Sequence, residues 1–284
     1  MKQAMIFAAG LGTRLKPLTD TMPKALVPVD GEPLLKRVLF RLRDAGFTHI
    51  IINVHHFAQQ IVDYLQANDS FGLDVRISDE TDHLLDTGGG IRKAASLFDA
   101  KFPILIHNVD ILSNVDLDAF YRLDEKVKCP DCGVPHVLAG AHLLVSFRKT
   151  KRYLLFNDNM LLMGWVNIET GEVRSPYPEV KRELSKLEYP IAVGNEPMLL
   201  AGHYHMYAFS GIHTFSPRMF PLMVGYPEKF PIMDFYLQQC NKTAICGFVM
   251  DDLKLMDVGK LDTLDAANTF VQQLEQNNHK SLFL

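Results

Sequence analysis

The sequence has few cysteines and no long hydrophobic run. Four cysteines among 284 residues are too few for a disulfide-dense fold, and in a reducing cytosol we expect them to be thiols. The N-terminal apolar run, residues 4–9, ends at Gly10. It is far too short to span a membrane and lacks a signal-peptide cleavage pattern. We therefore expect a cytoplasmic protein that has no membrane partner.

Positive charge is also scarce. The chain has 29 Lys and Arg residues against 33 Asp and Glu residues, a formal net charge of −4. Such a chain has no overall basic field with which to hold nucleic acid, so we expect no nucleic-acid partner. Any phosphate group that the protein binds must be met by a local cluster of cations.

Short apolar runs alternate with amphipathic segments in the first half of the chain. Residues 4–9, 34–45 and 49–54 have the patterns of a strand, a helix and a strand. The alternation continues to a strand predicted at 103–107. Repeated strand–helix–strand units predict a parallel sheet covered by helices on both faces.

The pattern changes after about residue 135. Strand-like runs at 137–147, 153–156, 160–166 and 202–215 are separated by turn signals, which predicts a more antiparallel region. Helices are predicted again at 216–223, 231–240 and 261–276, with strands near 245–250 and 254–258 between the last two. The pattern favours one α/β domain with a β-rich lobe.

A glycine-rich segment follows the first predicted strand, where α/β proteins commonly bind ligands. A dinucleotide fingerprint that begins at Gly10 needs a third glycine at position 15, and a Walker A loop needs its second glycine there, but the residue is Leu15. What remains is a loop of small residues whose backbone N–H groups can approach an anion. The cations Arg14 and Lys24 follow it and suit a triphosphate.

The segments 7–19 (FAAGLGTRLKPLT), 23–29 (PKALVPV) and 31–34 (GEPL) closely resemble the signature of sugar-1-phosphate nucleotidyltransferases. The resemblance implies a Rossmann-like, three-layer α/β fold with a mixed, mainly parallel sheet. In this family the loop wraps the nucleoside triphosphate, the arginine matching Arg14 contacts the phosphates, and the lysine matching Lys24 stabilises charge at the reacting phosphorus. The nucleotide-binding residues implied by the match are those of the loop: Ala8, Ala9, Gly10, Leu11, Gly12 and Thr13.

Two aspartates at predicted strand ends complete the expected chemistry. Bringing a sugar phosphate up to a triphosphate requires charge neutralisation, and Mg²⁺ prefers one or two carboxylates together with ligand phosphates. Asp110 ends the run 104–110 and Asp257 lies in the run 255–259 (LMDVG); both match the family's metal-binding aspartates. Asp116 is instead expected to cap the following helix. Val109 departs from the small residue that usually precedes the first aspartate, which puts the substrate geometry in question.

The remaining expectations concern the base and the sugar. A second glycine cluster, matching the segment with which the family reads the base, assigns Thr87, Gly88 and Gly89 to nucleotide binding. Gly211 matches a Gly-Ile motif that contacts the sugar in relatives, and Asn108 and Arg152 are the further sugar-site candidates. The Glu-Lys-Pro motif of many relatives has no clear counterpart, and the basic run 148–152, which is more often a solvated hairpin, could replace it.

Taken together, the sequence predicts a single domain, 1–284. It comprises a nucleotide-binding lobe (1–125), a β-rich sugar-binding lobe (126–215) and a returning segment with the second metal aspartate (216–284). The sequence most resembles the bacterial N-acetylmuramic acid 1-phosphate uridylyltransferases of cell-wall recycling. Mannose- and heptose-1-phosphate guanylyltransferases are the next most similar groups.

Several alternatives stay open. The nucleotide could be UTP or GTP, and the sugar 1-phosphate is not fixed. A non-catalytic nucleotide-sugar sensor on the same fold is the rival from another class, although a sensor has no need of both metal aspartates. Homo-oligomerisation through the aromatic positions near 226–236 is open as well, and the pair Cys129 and Cys132 has the spacing of half a zinc site.

Overall fold

A computed structural model describes residues 1–123, 139–194 and 197–281, with side chains described up to residue 276. The pair Cys129 and Cys132 and the first residues of the strand predicted at 137–147 lie outside the described residues. Cys240 is a buried free thiol, as predicted. None of the helices within these ranges is long and apolar enough to cross a membrane.

The strands are numbered in chain order. They are β1 (Gln3–Phe7), β2 (Pro28–Val29), β3 (Glu32–Pro33), β4 (His49–Val54), β5 (Asp74–Asp79), β6 (Ile104–Asn108), β7 (Ile111–Ser113), β8 (Ala141–Ser146), β9 (Arg152–Phe156), β10 (Leu162–Asn167), β11 (Val173–Arg174), β12 (Leu199–Leu200), β13 (Tyr204–Phe215), β14 (Ile245–Val249) and β15 (Leu255–Asp257).

The α-helices and the short 3₁₀ helices alternate with these strands. The α-helices are α1 (Leu34–Asp44), α2 (Ala58–Ala67), α3 (Asp86–Lys93), α4 (Leu117–Tyr121), α5 (Pro178–Leu184), α6 (Ile232–Gln239) and α7 (Leu264–Ser281). The 3₁₀ helices are Thr13–Leu15, Leu18–Asp20, Lys24–Leu26, Asp69–Gly72, Ala94–Leu97, Pro217–Met223 and Leu261–Thr263.

The first half of the chain forms the predicted parallel strands, in the order β5, β4, β1, β6. Successive side chains of a strand point to opposite faces, and both faces of β1, β4 and β6 are buried, whereas the edge strand β5 has exposed positions. Ala4 and Ile6 of β1 pack in one hydrophobic cluster with α1, whereas Met5 packs in a second cluster with α3 and α6. The central strands β1, β4 and β6 are therefore mainly apolar, and helices cover both faces of the sheet.

The β-rich part of the chain extends the same sheet. The long strand β13 pairs antiparallel with β6, β8 and β9, and β14 pairs parallel with β8. Strands β10 and β11 continue the sheet beyond β9. The predicted α/β class with a mixed sheet is confirmed, while the division into three named segments stays a prediction.

Several boundaries differ from those predicted. The first strand ends at Phe7 rather than position 9, because the N–H of Ala8 donates to the side chain of Asn53 instead of continuing the sheet. The segment predicted as a helix at 216–223 is a 3₁₀ helix that contains Pro221, which has no N–H to donate. Asp116 caps α4 as predicted, by accepting from the N–H of Ala119.

Candidate active site

The candidate site lies along the carboxyl edge of the four parallel strands. The residues at or just after the ends of β5, β4, β1 and β6 are Glu80, Asn53, Ala8 and Asp110. Neighbouring strands lie about 4.8 Å apart, so the three intervals from Glu80 to Asp110 span roughly 14 Å. An edge of that length suits an extended ligand such as a nucleotide.

A cavity of about 350 Å³ opens along this edge. It is lined by Phe7, Ala8, Ala9, Gly10, Lys24, Asn53, Glu80, Leu84, Asp86, Thr87, Asn108, Val109, Asp110 and Lys229. The cavity thus joins residues predicted for the phosphates, the base, the sugar and the metal. A second cavity, of about 590 Å³, lies between α1 and α7, and the described residues that line it include no predicted site residue.

The glycine-rich loop after β1 is held in place at both ends. The N–H of Ala8 donates to Oδ1 of Asn53 at 2.8 Å. Gly12 has a φ of +63°, and a Cβ added there would lie 2.8 Å from Cγ2 of Thr19 and 3.1 Å from Cβ of Lys24. Only glycine fits this position without strain, because both the backbone conformation and the space exclude a side chain.

The centre of the loop faces open space. Among the described residues, no atom outside the immediate chain neighbours of Gly10 lies within 4 Å of the position where its Cβ would stand, and Leu11 is exposed. Thr13 begins the 3₁₀ helix Thr13–Leu15, which also carries Arg14. The loop therefore leaves room for a ligand over Gly10, as the phosphate-binding prediction requires.

The four charged residues predicted from separate motifs come together at one end of the cavity. Nζ of Lys24 forms an ion pair with Oδ2 of Asp110. Strand β15 pairs with β7, and the N–H of Val258 donates to the carbonyl of Asp110 at 2.9 Å, which brings Asp257 beside Asp110. Arg14 lies near Asp257 as well, since Nη2 of Arg14 and Oδ1 of Asp257 lie 2.8 and 2.7 Å from the Cβ position of Gly259.

The electrostatics of Asp257 reflect this crowding. Burial raises the pKa of the Asp257 carboxyl, and the negative charge of Asp110 raises it further. The positive charges of Lys24, Arg14 and Arg148 act in the opposite direction and lower this pKa. The carboxyl is therefore held in a site where an added positive charge would be favourable.

Asp110 and Asp257 fit a divalent cation. Oδ1 of Asp257 is buried and has no hydrogen-bond partner among the described residues. A buried carboxylate oxygen without a partner is costly unless a ligand supplies one. Two neighbouring carboxylates with one free buried oxygen are the type of donor set that Mg²⁺ takes, with waters and phosphate oxygens completing its shell.

The second glycine cluster packs closely against another segment of the chain, which the sequence did not reveal. Thr87 lines the cavity, but the N–H groups of Gly88 and Gly89 both donate to the carbonyl of Phe230. A Cβ on Gly88 would lie 2.3 Å from the Phe230 ring, and one on Gly89 would lie 2.4 Å from the carbonyl oxygen of Glu228. A direct nucleotide contact of Gly88 and Gly89 stays a prediction, and the packing alone explains why both are glycine.

The predicted sugar residues divide into two groups. Gly211 has a φ of +77° within β13, and its Cβ position lies 2.9 Å from Nδ2 of Asn108, which lines the cavity. Arg152 is an exposed residue at the start of β9. From the same basic run it is Arg148 that approaches the site, because its guanidinium donates to the carbonyl of Phe209 and its charge acts on Asp257.

Sequence reasoning missed the polar residues Asn53, Glu80 and Lys229 that line the cavity. Asn53 is buried near the end of an otherwise apolar strand, and its Nδ2 donates to Oε1 of Glu80 at 2.8 Å. Glu80 is fully buried, its Oε2 accepts from the N–H of Leu85, and burial raises its carboxyl pKa. The signal available in the sequence was a lone polar residue at the carboxyl end of a buried strand.

Comparison with known proteins agrees with this geometry. Residues 3–129 match the family model described as Nucleotidyl transferase. An N-acetylmuramate alpha-1-phosphate uridylyltransferase of Neisseria meningitidis is 42% identical over 120 residues, which are 42% of this chain and 52% of the relative. A mannose-1-phosphate guanylyltransferase of Mycobacterium tuberculosis is 33% identical over 114 residues, which are 40% of this chain and 31% of the relative. The chain thus spans about half the length, or less, of these curated relatives.

The fold extends further than the sequence match. The crystal structure of HddC from Yersinia pseudotuberculosis, complexed with GMP-PN, superposes with a TM-score of 0.64 at 20% identity. The superposition covers 95% of this chain and 100% of that one. The chain shares this fold over nearly its whole length, while the match to the nucleotidyl transferase family model covers residues 3–129.

Proposed function

We propose that the protein transfers a nucleotidyl group from a nucleoside triphosphate to a sugar 1-phosphate, yielding a nucleotide sugar and pyrophosphate. The observation that carries this proposal is the meeting of Arg14, Lys24, Asp110 and Asp257 at one end of a cleft lined by the glycine-rich loop. These residues come from three separate parts of the chain, since Arg14 and Lys24 belong to one segment and Asp110 and Asp257 to two others. A purely structural role gives no reason to gather two cations and two carboxylates there.

Catalysis of this reaction requires the protein chiefly to position two anions. An oxygen of the sugar phosphate attacks the α-phosphorus of the triphosphate, and pyrophosphate leaves in line. Backbone N–H groups of the loop and the cations Arg14 and Lys24 hold the triphosphate and stabilise the charge that develops on it. The attacking group is already an anion, so no serine or cysteine nucleophile is needed.

Asp110 and Asp257 would hold a Mg²⁺ ion beside this centre. The ion supplies positive charge that lets the two phosphates approach each other. Lys24 already pairs with Asp110 in the structure, so its ammonium lies at the same place as the metal ligands. The chain's own contribution is thus a fixed arrangement of charges rather than a proton transfer.

The preferred substrate pair is UTP and N-acetylmuramic acid 1-phosphate. The match with the N. meningitidis relative supports this choice, and the product would belong to the recycling of cell-wall sugars. Val109 lines the cavity next to Asp110, beside the place proposed for the sugar phosphate or the ribose. Because the proposed triphosphate substrates are held in the cytoplasm, the proposal includes a cytoplasmic location.

A guanylyltransferase is the second candidate. The match with the mannose-1-phosphate guanylyltransferase of M. tuberculosis supports this candidate, at lower identity and over a smaller share of that relative. The charged residues proposed to perform the reaction are the same for either base. The two candidates differ in substrate and share the mechanism.

The test is a panel of UTP, GTP, CTP and ATP against the 1-phosphates of N-acetylmuramic acid, mannose, glucose and N-acetylglucosamine, with pyrophosphate release as the signal. We expect release with UTP and N-acetylmuramic acid 1-phosphate. Asp110→Asn should abolish it, whereas Asp116→Asn should not, because Asp116 caps α4 and asparagine caps equally well. No release with any pair would contradict the proposal, and tight nucleotide-sugar binding without turnover would favour the sensor.

A further inference from the structure

Arg148 is an exposed cation that follows strand β8. Its hydrogen bond within the described part of the chain runs from Nη2 to the carbonyl oxygen of Phe209, at 2.9 Å. Phe209 belongs to β13, so this bond holds the guanidinium beside the neighbouring strand. A guanidinium has five N–H donors in a rigid fork, and a neutral carbonyl neither occupies most of them nor offsets the positive charge. Arg148 is therefore available to an anionic ligand.

Strand β13 brings Arg148 close to the two proposed metal aspartates. The carbonyl that accepts from Arg148 belongs to the residue two positions before Gly211. A Cβ at Gly211 would lie 2.8 Å from Cγ1 of Ile111, which directly follows Asp110. Burial raises the pKa of the Asp257 carboxyl, and the positive charge of Arg148 is among the groups that oppose this rise. Arg148 thus stands at the charged end of the cleft.

Arg148 and the glycine-rich loop lie on opposite sides of Asp110. Strand β6 pairs with β1 along one edge and with β13 along the other. Asp110 follows β6, whereas Arg14 and Lys24 follow β1 and Arg148 is held at β13. The charged end therefore has cations on both sides of the first metal aspartate, and each side is supported by a different strand.

An in-line displacement needs such an arrangement. The attacking and the leaving oxygens lie on opposite sides of the phosphorus that is transferred. If Arg14 and Lys24 hold the triphosphate, with its leaving pyrophosphate, the attacking phosphate has to approach from the side of β13. The phosphate of a sugar 1-phosphate is an anion, and the planar fork of a guanidinium can donate to two of its oxygens at once. Arg148 is the cation that the structure places on that side.

We propose that Arg148 binds the phosphate of the sugar 1-phosphate and orients it for attack on the α-phosphorus. This inference rests on the proposed function, and it narrows the basic run 148–152 to one side chain. Nη2 keeps its bond to Phe209 while the other donors of the fork contact the phosphate. A bond then forms between the sugar phosphate oxygen and the α-phosphorus, and the bond from that phosphorus to pyrophosphate breaks. Arg148 gives up no proton in this step.

The experiment compares the parent protein with Arg148→Met, Arg148→Lys and the control Arg218→Met. Arg218 is likewise an exposed arginine, and its Nε donates to the hydroxyl oxygen of Ser216 at 3.3 Å. It follows the end of β13 that pairs with the beginning of β6, so it lies at the opposite edge of the sheet from the site. Its replacement removes the same charge from the protein. For each protein we measure kcat and the KM for both substrates, and the Kd of each substrate by calorimetry.

Arg148→Met should raise the KM and the Kd for the sugar 1-phosphate roughly 10- to 100-fold, because a charged hydrogen bond to the phosphate is lost. The KM and the Kd for the triphosphate should change little. Arg148→Lys should fall between the parent and Arg148→Met, since an ammonium group keeps the charge and lacks the fork. Arg218→Met should behave as the parent.

The outcomes separate this inference from the proposed function. A parent that releases no pyrophosphate, yet binds a sugar 1-phosphate with an affinity that Arg148→Met lowers, refutes the function and supports the role of Arg148. An active parent whose KM for the sugar 1-phosphate is unchanged in Arg148→Met overturns the inference and leaves the function standing. Equal losses for both substrates, or an equal loss in Arg218→Met, would also overturn it. A parent that binds none of the four sugar 1-phosphates would overturn both.

Discussion

Replacing the buried histidine His213 by phenylalanine should flatten the pH dependence of stability. His213 lies on β13, is 1% exposed, and neither ring nitrogen has a hydrogen-bond partner among the described residues. Its ring packs edge-on against Tyr236, with 5.6 Å between the ring centres, an arrangement that phenylalanine can preserve. Burial lowers the pKa of the His213 imidazole to about 3.

The magnitude follows from the difference between folded and unfolded states. In the unfolded chain the imidazole has its ordinary pKa of about 6.5. The folded pKa lies below this value, so the unfolded state binds more protons and stability falls as the pH drops below about 6.5. Between about pH 7 and pH 5 the unfolded-state imidazole goes from roughly one quarter protonated to almost fully protonated, while the folded one stays neutral. Linkage then gives a loss of about 2 kcal/mol from this one group.

Urea unfolding of the parent and of His213→Phe at about pH 7, 6 and 5 measures this difference. The parent should lose about 2 kcal/mol more than the variant over that range. His107, whose pKa burial also lowers to about 3, contributes equally to both proteins and cancels in the comparison. We also expect the variant to be at least as stable as the parent at about pH 7, because it removes two buried nitrogens without partners. Equal losses in the two proteins would refute the reasoning.

Four further substitutions test the site and the packing beside it. Asp257→Asn should reduce pyrophosphate release at least about 100-fold without lowering the free energy of unfolding, because an amide removes a buried charge beside Asp110; an active variant, measured in the same assay, would contradict the metal-binding role. Gly259→Ala should lower kcat/KM about 10-fold with an unchanged Tm, since its Cβ would lie 2.7 Å from Asp257 and 2.8 Å from Arg14; an unchanged kcat/KM would show that these groups need not stay in place. Gly88→Ala should lose about 1–3 kcal/mol in urea unfolding through its clash with Phe230, whereas Gly10→Ala, in open space, should lose little; equal stability of the two variants would refute the packing argument.

The charged end of the site was predictable because each member belongs to a local motif. Arg14 and Lys24 follow the first strand within one recognisable segment, and Asp110 and Asp257 each end an apolar run. Their contact depends on the antiparallel pairing of β15 with β7, where Asp257 lies opposite Ile111. No periodicity specifies a pairing between segments so far apart in the chain, so that juxtaposition came from the resemblance and the structure rather than from the pattern.

The glycines at 88 and 89 show where prediction from the sequence stops. A glycine cluster at the start of a helix is consistent with a ligand approaching the backbone or with another chain segment approaching it. Which of the two applies depends on the residues, distant in sequence, that the fold places beside the glycines. Here the carbonyl of Glu228 and the ring of Phe230 occupy that space. The sequence did not identify Lys229 as a cavity residue for the same reason, because an isolated exposed lysine belongs to no motif or periodic pattern.

The two ends of the cleft are joined by a buried polar path that sequence reasoning did not identify. Ala8 donates to Asn53, Asn53 donates to Glu80, and Glu80 accepts from the N–H of Leu85. Each bond is buried, so leaving any of these groups without a partner is costly and the three loops keep a fixed spacing. The loop proposed for the phosphates is thereby tied to the segment proposed for the base. The reaction depends on the position of the α-phosphorus. A substitution of Asn53 should therefore weaken base selection and turnover together, although Asn53 is not part of the charged cluster.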